Sequence, residues 1–418
     1  MRRTRSHRVR LIQIVLTRSP TAPQTPIVCL QYRVRHKGAD TATAIKRQRT
    51  APSRWDGVDK TGRNARNTAI SRSNHGDDKP HDDMRRAAYN PRFINWMALM
   101  LDTPSTAEVP TLSLADQDLD PDGFAAAFGE SFERFGFAIV ADHGVPHDLI
   151  ARAWSETEEL FALPEAEKRD YFVAGGGGAR GYTPFKTEIA KDAKHVDLKE
   201  FWHIGRELPA GHRYADRMSP NIWPSRPEGF KHTFLDLFIA FDRAGDRLLS
   251  AIARHLKLAP DWFDPAVKDG NSVLRLLHYP PIPVDAEGVR AGAHEDINLI
   301  TLLLGAEEAG LELLDRTNNR WLAIKPPEGA MVVNVGDMLQ RLTNHVLPST
   351  THRVVNPPPE RRGHSRYSMP FFLHPAPDFL IETLPQTITA ENPNRYPAPI
   401  TAHDYLHQRL VEIGLIKA

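Results

Sequence analysis

The order of patterned segments in this 418-residue chain predicts an α+β protein with a mainly β core. Three observations carry that reading. Between residues 110 and 256 apolar side chains recur at helical spacing in three segments. From about 272 to 375 they fall instead into seven short runs separated by turn chemistry, the spacing of a sandwich or barrel. Residues 1–96 show neither pattern, and strands that follow helices, rather than alternating with them, make the class α+β.

Taken in chain order, residues 109–114 read as a short strand. Residues 122–135 read as a helix, because Phe124, Phe128, Phe132 and Phe135 lie on one face. The strand at 137–140 is stopped by Asp142, His143 and Gly144. A second helix over 146–161 starts at Pro146, which suits a first turn, and carries Leu149, Ala153, Leu160 and Phe161 on one stripe. A longer helix over 227–256 carries Phe234, Leu237, Phe238, Phe241, Leu248, Leu249 and Ile252. The expected strands are then 273–279, 298–304, 311–314, 321–324, 331–335, 349–355 and 366–373, with turns at 315–319 and 326–329. The four consecutive glycines at 175–178 are not a phosphate loop, since no Lys-Ser/Thr follows; they read as a loop over a pocket.

Composition narrows the function. The chain is 41% hydrophobic and 25% charged, and its only cysteine, Cys29, excludes an internal disulfide framework and any Cys-rich zinc module. A reducing, cytoplasmic setting follows as the expectation. No apolar run approaches the roughly 20 residues of a membrane span, and the six-residue run at 11–16 is too short for a secretory signal. The net charge of +1 hides a split: residues 1–96 carry 21 basic and seven acidic residues, a balance of +14, whereas 97–418 carry 32 and 45, a balance of −13. The first part cannot bury enough apolar surface to offset its ordering entropy and is expected to be disordered. It reads as an upstream extension of the reading frame, a basic tail, or a targeting or nucleic-acid-binding segment. Residues 97–418 read as one catalytic domain.

The chemistry gathers in the strand region. His294 and Asp296 are two residues apart at a strand entrance, so they project to the same side. His352 follows 56 residues after Asp296 in another strand-like run that sheet pairing could bring alongside. Two imidazoles and a carboxylate on one face of an ion leave adjacent positions open, as in non-haem Fe(II) oxygenases. Arg366 and Ser368 share a strand face, a guanidinium and a hydroxyl able to grip a carboxylate. Singly, a His-x-Asp pair is more often a surface turn, and Arg-x-Ser a solvated strand edge. Order, spacing and strand context together give them weight.

In these segments the chain resembles the isopenicillin N synthase-like group of 2-oxoglutarate/Fe(II)-dependent dioxygenases. The resemblance covers about 108–410 and rests on Gly136-Phe-Ala-Ile-Val-Ala-Asp-His-Gly144, Leu274-Arg-Leu-Leu-His-Tyr-Pro280, Ala293-His-Glu-Asp296, Val333-Asn-Val-Gly-Asp-Met338, Ser349-Thr-Thr-His-Arg-Val354 and Arg366-Tyr-Ser-Met-Pro-Phe-Phe372. It implies a double-stranded β-helix, or jelly roll, over 266–385, flanked by a helical N-terminal region (108–265) with its mid-chain helix and by a C-terminal helix within 386–418. It also implies that His294, Asp296 and His352 ligate Fe(II), and that Arg366, Ser368 and Tyr279 bind the far carboxylate of 2-oxoglutarate. Leu277 stands where plant-type members have Asn, a departure that weakens Tyr279 as a contact. The implied reaction consumes O2 and 2-oxoglutarate, releases succinate and CO2, and hydroxylates, desaturates or cyclises a small organic molecule. An oxidase that works without 2-oxoglutarate and a non-catalytic jelly-roll binding protein are the competing readings.

Substrate contacts are expected from the variable stretch 180–202, with Tyr182, Phe185, Lys199 and Trp202, and from Phe371 and Phe372. Glu295 is expected to point away from the metal into solvent, and His278, His345, His364 and His374 to be structural. The catalytic part is acidic and lacks an Arg/Lys stripe interleaved with aromatics, so no nucleic-acid substrate is expected. Neither a membrane nor an obligate protein partner is expected.

Overall fold

The structure is a computed structural model that describes residues 28–30, 46–48 and 108–413, apart from 177, 189–195, 284–285 and 306–309. The chain divides into two units, Met1–Asp102 and Thr103–Ala418. In the first, β1 (Val28–Leu30) pairs antiparallel with β2 (Lys46–Gln48). The rest of the expected tail over 1–96 lies outside the described residues.

The second unit carries an eight-stranded and a four-stranded sheet with their helices, besides a short antiparallel pairing of Leu380–Ile381 with Ile400–Thr401. In chain order it runs β3 (Thr111–Ser113), α1 (Pro121–Phe135), β4 (Phe137–Ala141), α2 (His147–Phe161), β5 (Gly181–Thr183), β6 (Glu200–Gly205) and α3 (Phe230–His255). Then come β7 (Val273–Tyr279), β8 (Ala291–His294), β9 (Ile300–Leu304), β10 (Leu311–Asp315), β11 (Arg320–Ala323), β12 (Met331–Val335), α4 (Asp337–Leu342), β13 (His352–Val354), β14 (Arg366–Leu373) and α5 (Ala402–Glu412). The large sheet has the order β3-β4-β12-β9-β14-β7-β6-β5 and is antiparallel except for β3 beside β4. The small sheet has the order β11-β10-β13-β8.

Strand parity separates two cores. Side chains one apart on a strand face opposite ways. On one face of the large sheet Ala138, Val140, Trp202, Leu274, Leu302, Val333 and Phe371 pack with the helices. On the other, Phe137, Ile139, Phe201, Leu277 and Val332 pack with Leu311, Leu313 and Val354 of the small sheet. The large sheet is thus sandwiched between helices and small sheet. α1 starts on Asp120, whose carboxylate accepts from the Gly123 amide at 2.9 Å, and buries Phe124, Phe128, Phe132 and Phe135. α3, about 39 Å long at 1.5 Å per residue, sets Phe238 and Phe241 on Phe371 with ring centroids at 5.0 and 5.3 Å. Arg134 of α1 forks onto Asp315 of β10 at 3.0 Å for both oxygens and, through those bonds, holds that carboxyl well below its usual range.

Two departures from the sequence reading matter for the site. The stretch 180–202, expected to be a variable loop, contains β5 and the start of β6; all six residues of β6 are buried, so no inside–outside alternation marked it. The loop from Ser349 to Thr351 precedes β13, which begins only at His352. That loop is fixed by Gly136, the left-handed cap of α1 at φ 68°, where a Cβ would come within 2.3 Å of Thr350 Oγ1 and 2.6 Å of the Pro348 carbonyl. Gly136→Ala is therefore expected to destabilise the protein by about 1–3 kcal/mol, read as a lower urea midpoint. An unchanged midpoint would contradict this close packing.

Candidate metal centre

Sheet pairing assembles the centre. His294 ends β8 and His352 opens β13, and the two are direct cross-strand partners, with ring centroids 4.4 Å apart. Asp296 lies two residues past β8, held by its carbonyl, which accepts from the Asp337 amide at 2.7 Å where α4 begins. Its carboxylate lies 3.9 Å from Nε2 of each histidine, and the three potential ligand atoms all lie within 4.8 Å of one another.

Each candidate ligand is aimed by a neighbour. His294 Nδ1 donates to the Gly292 carbonyl at 2.8 Å and His352 Nδ1 to the Thr350 carbonyl at 3.1 Å. A carbonyl can only accept, so both Nε2 atoms present lone pairs toward the centre. Asp296 Oδ2 accepts from Thr301 Oγ1 at 2.6 Å and from Asn334 Nδ2 at 2.8 Å. Thr301 of β9 and Asn334 of β12 escaped the sequence reading; the available signal was a polar residue at an inward position of an otherwise apolar run. Burial, and then the adjacent His352, push His294 down to about 4, so it is neutral near pH 7. Burial works to raise Asp296, but the two imidazoles and the bonds from Thr301 and Asn334 outweigh it and hold the carboxyl below its usual range. Two imidazole nitrogens beside a buried carboxylate form a donor set that fits a divalent cation.

A cavity of about 700 Å³ opens on this centre, bounded by His294, Asp296, Lys199, Arg275 and Phe372 and, from α5, Leu406 and Leu410. Gly176 and Gly178 border it, consistent with a loop over a pocket. Buried Lys199 is held protonated by Glu188 and Asp197, each at 2.9 Å, and Arg275 pairs with Glu188 at 3.3 Å. Arg366, Ser368 and Tyr279 are brought together on the inner face of the large sheet, all buried. Arg366 is the cross-strand partner of Tyr279, its guanidinium 5.0 Å from that ring, and its Nη1 lies 3.4 Å from Ser368 Oγ.

Other expected contacts fall elsewhere. Tyr182 and Trp202 face the helices from inside the apolar core, one residue out of phase with the cavity, and Tyr182 donates to Glu200. Phe371 shares that core. Phe185 borders a separate, smaller recess with Lys168, Leu198 and Pro281. Lys199 and Phe372 do line the cavity. Glu295 is half-buried at the cavity and accepts from Thr351 Oγ1 at 2.8 Å, so it is not merely solvated. His278 is structural: it bridges Glu200 at 2.7 Å and Ser365 at 3.0 Å. His374, expected to be structural, lines the cavity instead.

Two histidines and an aspartate beside an open cavity define a non-haem metal oxygenase type of site. Comparison with known proteins agrees. Residues 109–226 match the N-terminal region described as non-haem dioxygenase in morphine synthesis, and residues 270–375 match the 2OG-Fe(II) oxygenase superfamily. A 2-oxoglutarate-Fe(II) type oxidoreductase of Emericella nidulans is 34% identical over 66% of this chain and 80% of its own length. The crystal structure of a Caulobacter crescentus protein of the 2OG-Fe(II) oxygenase family is 56% identical, covers 73% of this chain and 99% of that one, and superposes with a TM-score of 0.69. Neurospora crassa T7H, in complex with alpha-KG and thymine, is 30% identical over 72% of this chain and 96% of that one, with a TM-score of 0.64. The chain belongs to the 2-oxoglutarate/Fe(II)-dependent oxygenase family. It is an enzyme that uses Fe(II), 2-oxoglutarate and O2 to oxidise a small molecule.

Asn334→Leu and Thr301→Val remove the bonds that orient Asp296. Each is expected to weaken metal binding by about 10- to 100-fold, measured by equilibrium dialysis against Mn(II). Unchanged affinity would contradict their orienting role.

Proposed function

We propose that His294, Asp296 and His352 are the Fe(II) ligands, that Arg366, Ser368 and Tyr279 receive the far carboxylate of 2-oxoglutarate, and that the adjacent cavity takes a small organic molecule. The observation that carries this reading is the β8–β13 register, which sets His352 against His294 with Asp296 3.9 Å from both. In this reading the two facing sheets are the halves of a double-stranded β-helix. Fe(II) and 2-oxoglutarate bound there supply oxidative decarboxylation by O2, which releases succinate and CO2 and oxidises a substrate C–H bond.

The chain's own residues supply placement. Gly292 and Thr350 fix the imidazole tautomers, and Thr301 and Asn334 keep the carboxylate ionised and aimed. Arg366 offers a planar fork in a buried setting, where a charge-assisted bidentate bond is strong. Phe372 and, from α5, Leu406 and Leu410 give the cavity its apolar wall. Relatives crystallised with alpha-KG favour the dioxygenase over an oxidase that works without it. The acidic balance of 97–418 supports action without nucleic acid, the lone Cys29 supports a cytoplasmic setting, and no described helix is long and apolar enough to cross a membrane.

His352→Ala is expected to abolish both Fe(II) retention and succinate release, and Arg366→Lys to raise the KM for 2-oxoglutarate roughly tenfold or more, because a point charge cannot reproduce the fork. Metal retention in the first, or an unchanged KM in the second, would overturn the corresponding assignment.

A further inference from the structure

We infer that Asp197 is a positioning residue for His294: it holds the irregular stretch of β8 that turns this imidazole into the metal centre. The inference rests on the ligand reading above and adds to it a residue that acts through another.

The register of β8 shows why such a residue is needed. Ala291 pairs with Val354 and His294 with His352, so three residue steps on β8 face two on β13. Gly292 and Ala293 together oppose Arg353, the two-against-one count of a β-bulge. Val354 and His352 lie two apart on β13 and share its inner face, where Val354 packs in one cluster with Ala291, Leu311 and Leu313. In a regular ladder Ala293, two residues from Ala291, would stand opposite His352, and His294 would face the other way. The extra residue reverses that parity and brings His294 round to the centre.

A bulge needs holding, and β8 is the last strand in the order β11-β10-β13-β8, so one of its sides has no strand of that sheet beside it. The segment leading into β6 takes that side. Asp197 Oδ1 accepts from the Gly292 amide at 2.9 Å, and the Leu198 amide donates to the Val289 carbonyl at 3.0 Å. The Gly292 carbonyl in turn accepts from His294 Nδ1 at 2.8 Å. Gly292 is thus fixed on both flanking peptides, by Asp197 before its Cα and by the imidazole after it. Without Asp197 the buried Gly292 amide would lose its acceptor, a cost the strand escapes only by shifting.

Asp197 is itself locked in place. It is buried, its Oδ2 accepts from Lys199 Nζ at 2.9 Å, and its amide donates to the Glu188 carbonyl at 3.0 Å. A carboxylate that receives a backbone amide on one oxygen and an ammonium on the other has its plane set, and bonds to an ionised acceptor are about twice as strong as neutral ones. Balancing the charge of Lys199 does not call for the bond to Gly292, because the Glu188 carboxylate already lies 2.9 Å from Nζ. The contact with β8 is what that bond adds.

The test is proton NMR of the full chain loaded with Co(II), in which the Nδ1–H of each ligating histidine gives a strongly shifted, solvent-exchangeable signal. His294→Gln, with Co(II) in excess, assigns the signal of His294. Asp197→Ala is expected to displace or broaden that signal while the signal of His352 stays in place, and to weaken Mn(II) binding in equilibrium dialysis about tenfold or more. If Asp197→Ala does not fold, Asp197→Asn carries the test: it keeps an oxygen for the Gly292 amide without the charge, and is expected to displace the same signal and weaken Mn(II) binding severalfold. An unmoved His294 signal, an unchanged Mn(II) affinity, or equal displacement of both signals, the mark of a general loosening, would each overturn the inference. A wild type without shifted exchangeable signals, or a His294→Gln variant that keeps both, would instead strike the ligand assignment.

Discussion

The antiparallel register of β8 with β13 is the constraint on which the rest of the site depends. It places His352 opposite His294, and neighbouring structure serves to hold that juxtaposition. Gly136 lets the cap of α1 come close to the loop that delivers His352, and α4 anchors the backbone of Asp296. A one-residue slip of either strand would turn an imidazole away from the centre, because successive strand side chains face opposite ways.

The same parity divides the large sheet into a packing face and a working face. The packing face is largely apolar, apart from the buried Glu200–His278 pair, and seats α1 and α3. The working face carries Thr301, Asn334, Arg366, Ser368, Arg275 and Lys199, a density of buried polar groups that a core tolerates only when each finds a partner. Most do so inside the chain, in the Asp296 bonds and the Lys199–Glu188–Arg275 cluster.

Much of this was legible in the sequence. The bounds of β7, β12 and β14 follow directly from their apolar runs, and the triad follows from His-x-Asp and a later His in strand context. β5 and β6 were not legible, because both faces of β6 are buried and its polar Glu200 and His203 blur the pattern. Trp202 and Lys199 illustrate the consequence: both sat in a stretch read as loop, yet strand parity sends one into the core and the other to the cavity. His374 reaches the cavity wall through long-range placement, which no local spacing encodes.

The central claim is that the triad and the inner-face arginine together bind Fe(II) and 2-oxoglutarate. Anaerobic visible absorption of the purified protein tests it most directly, recorded with Fe(II) before and after 2-oxoglutarate is added. The account predicts a new metal-to-ligand charge-transfer band on the second addition. Iron that binds without producing the band, or no iron binding at all, would contradict it.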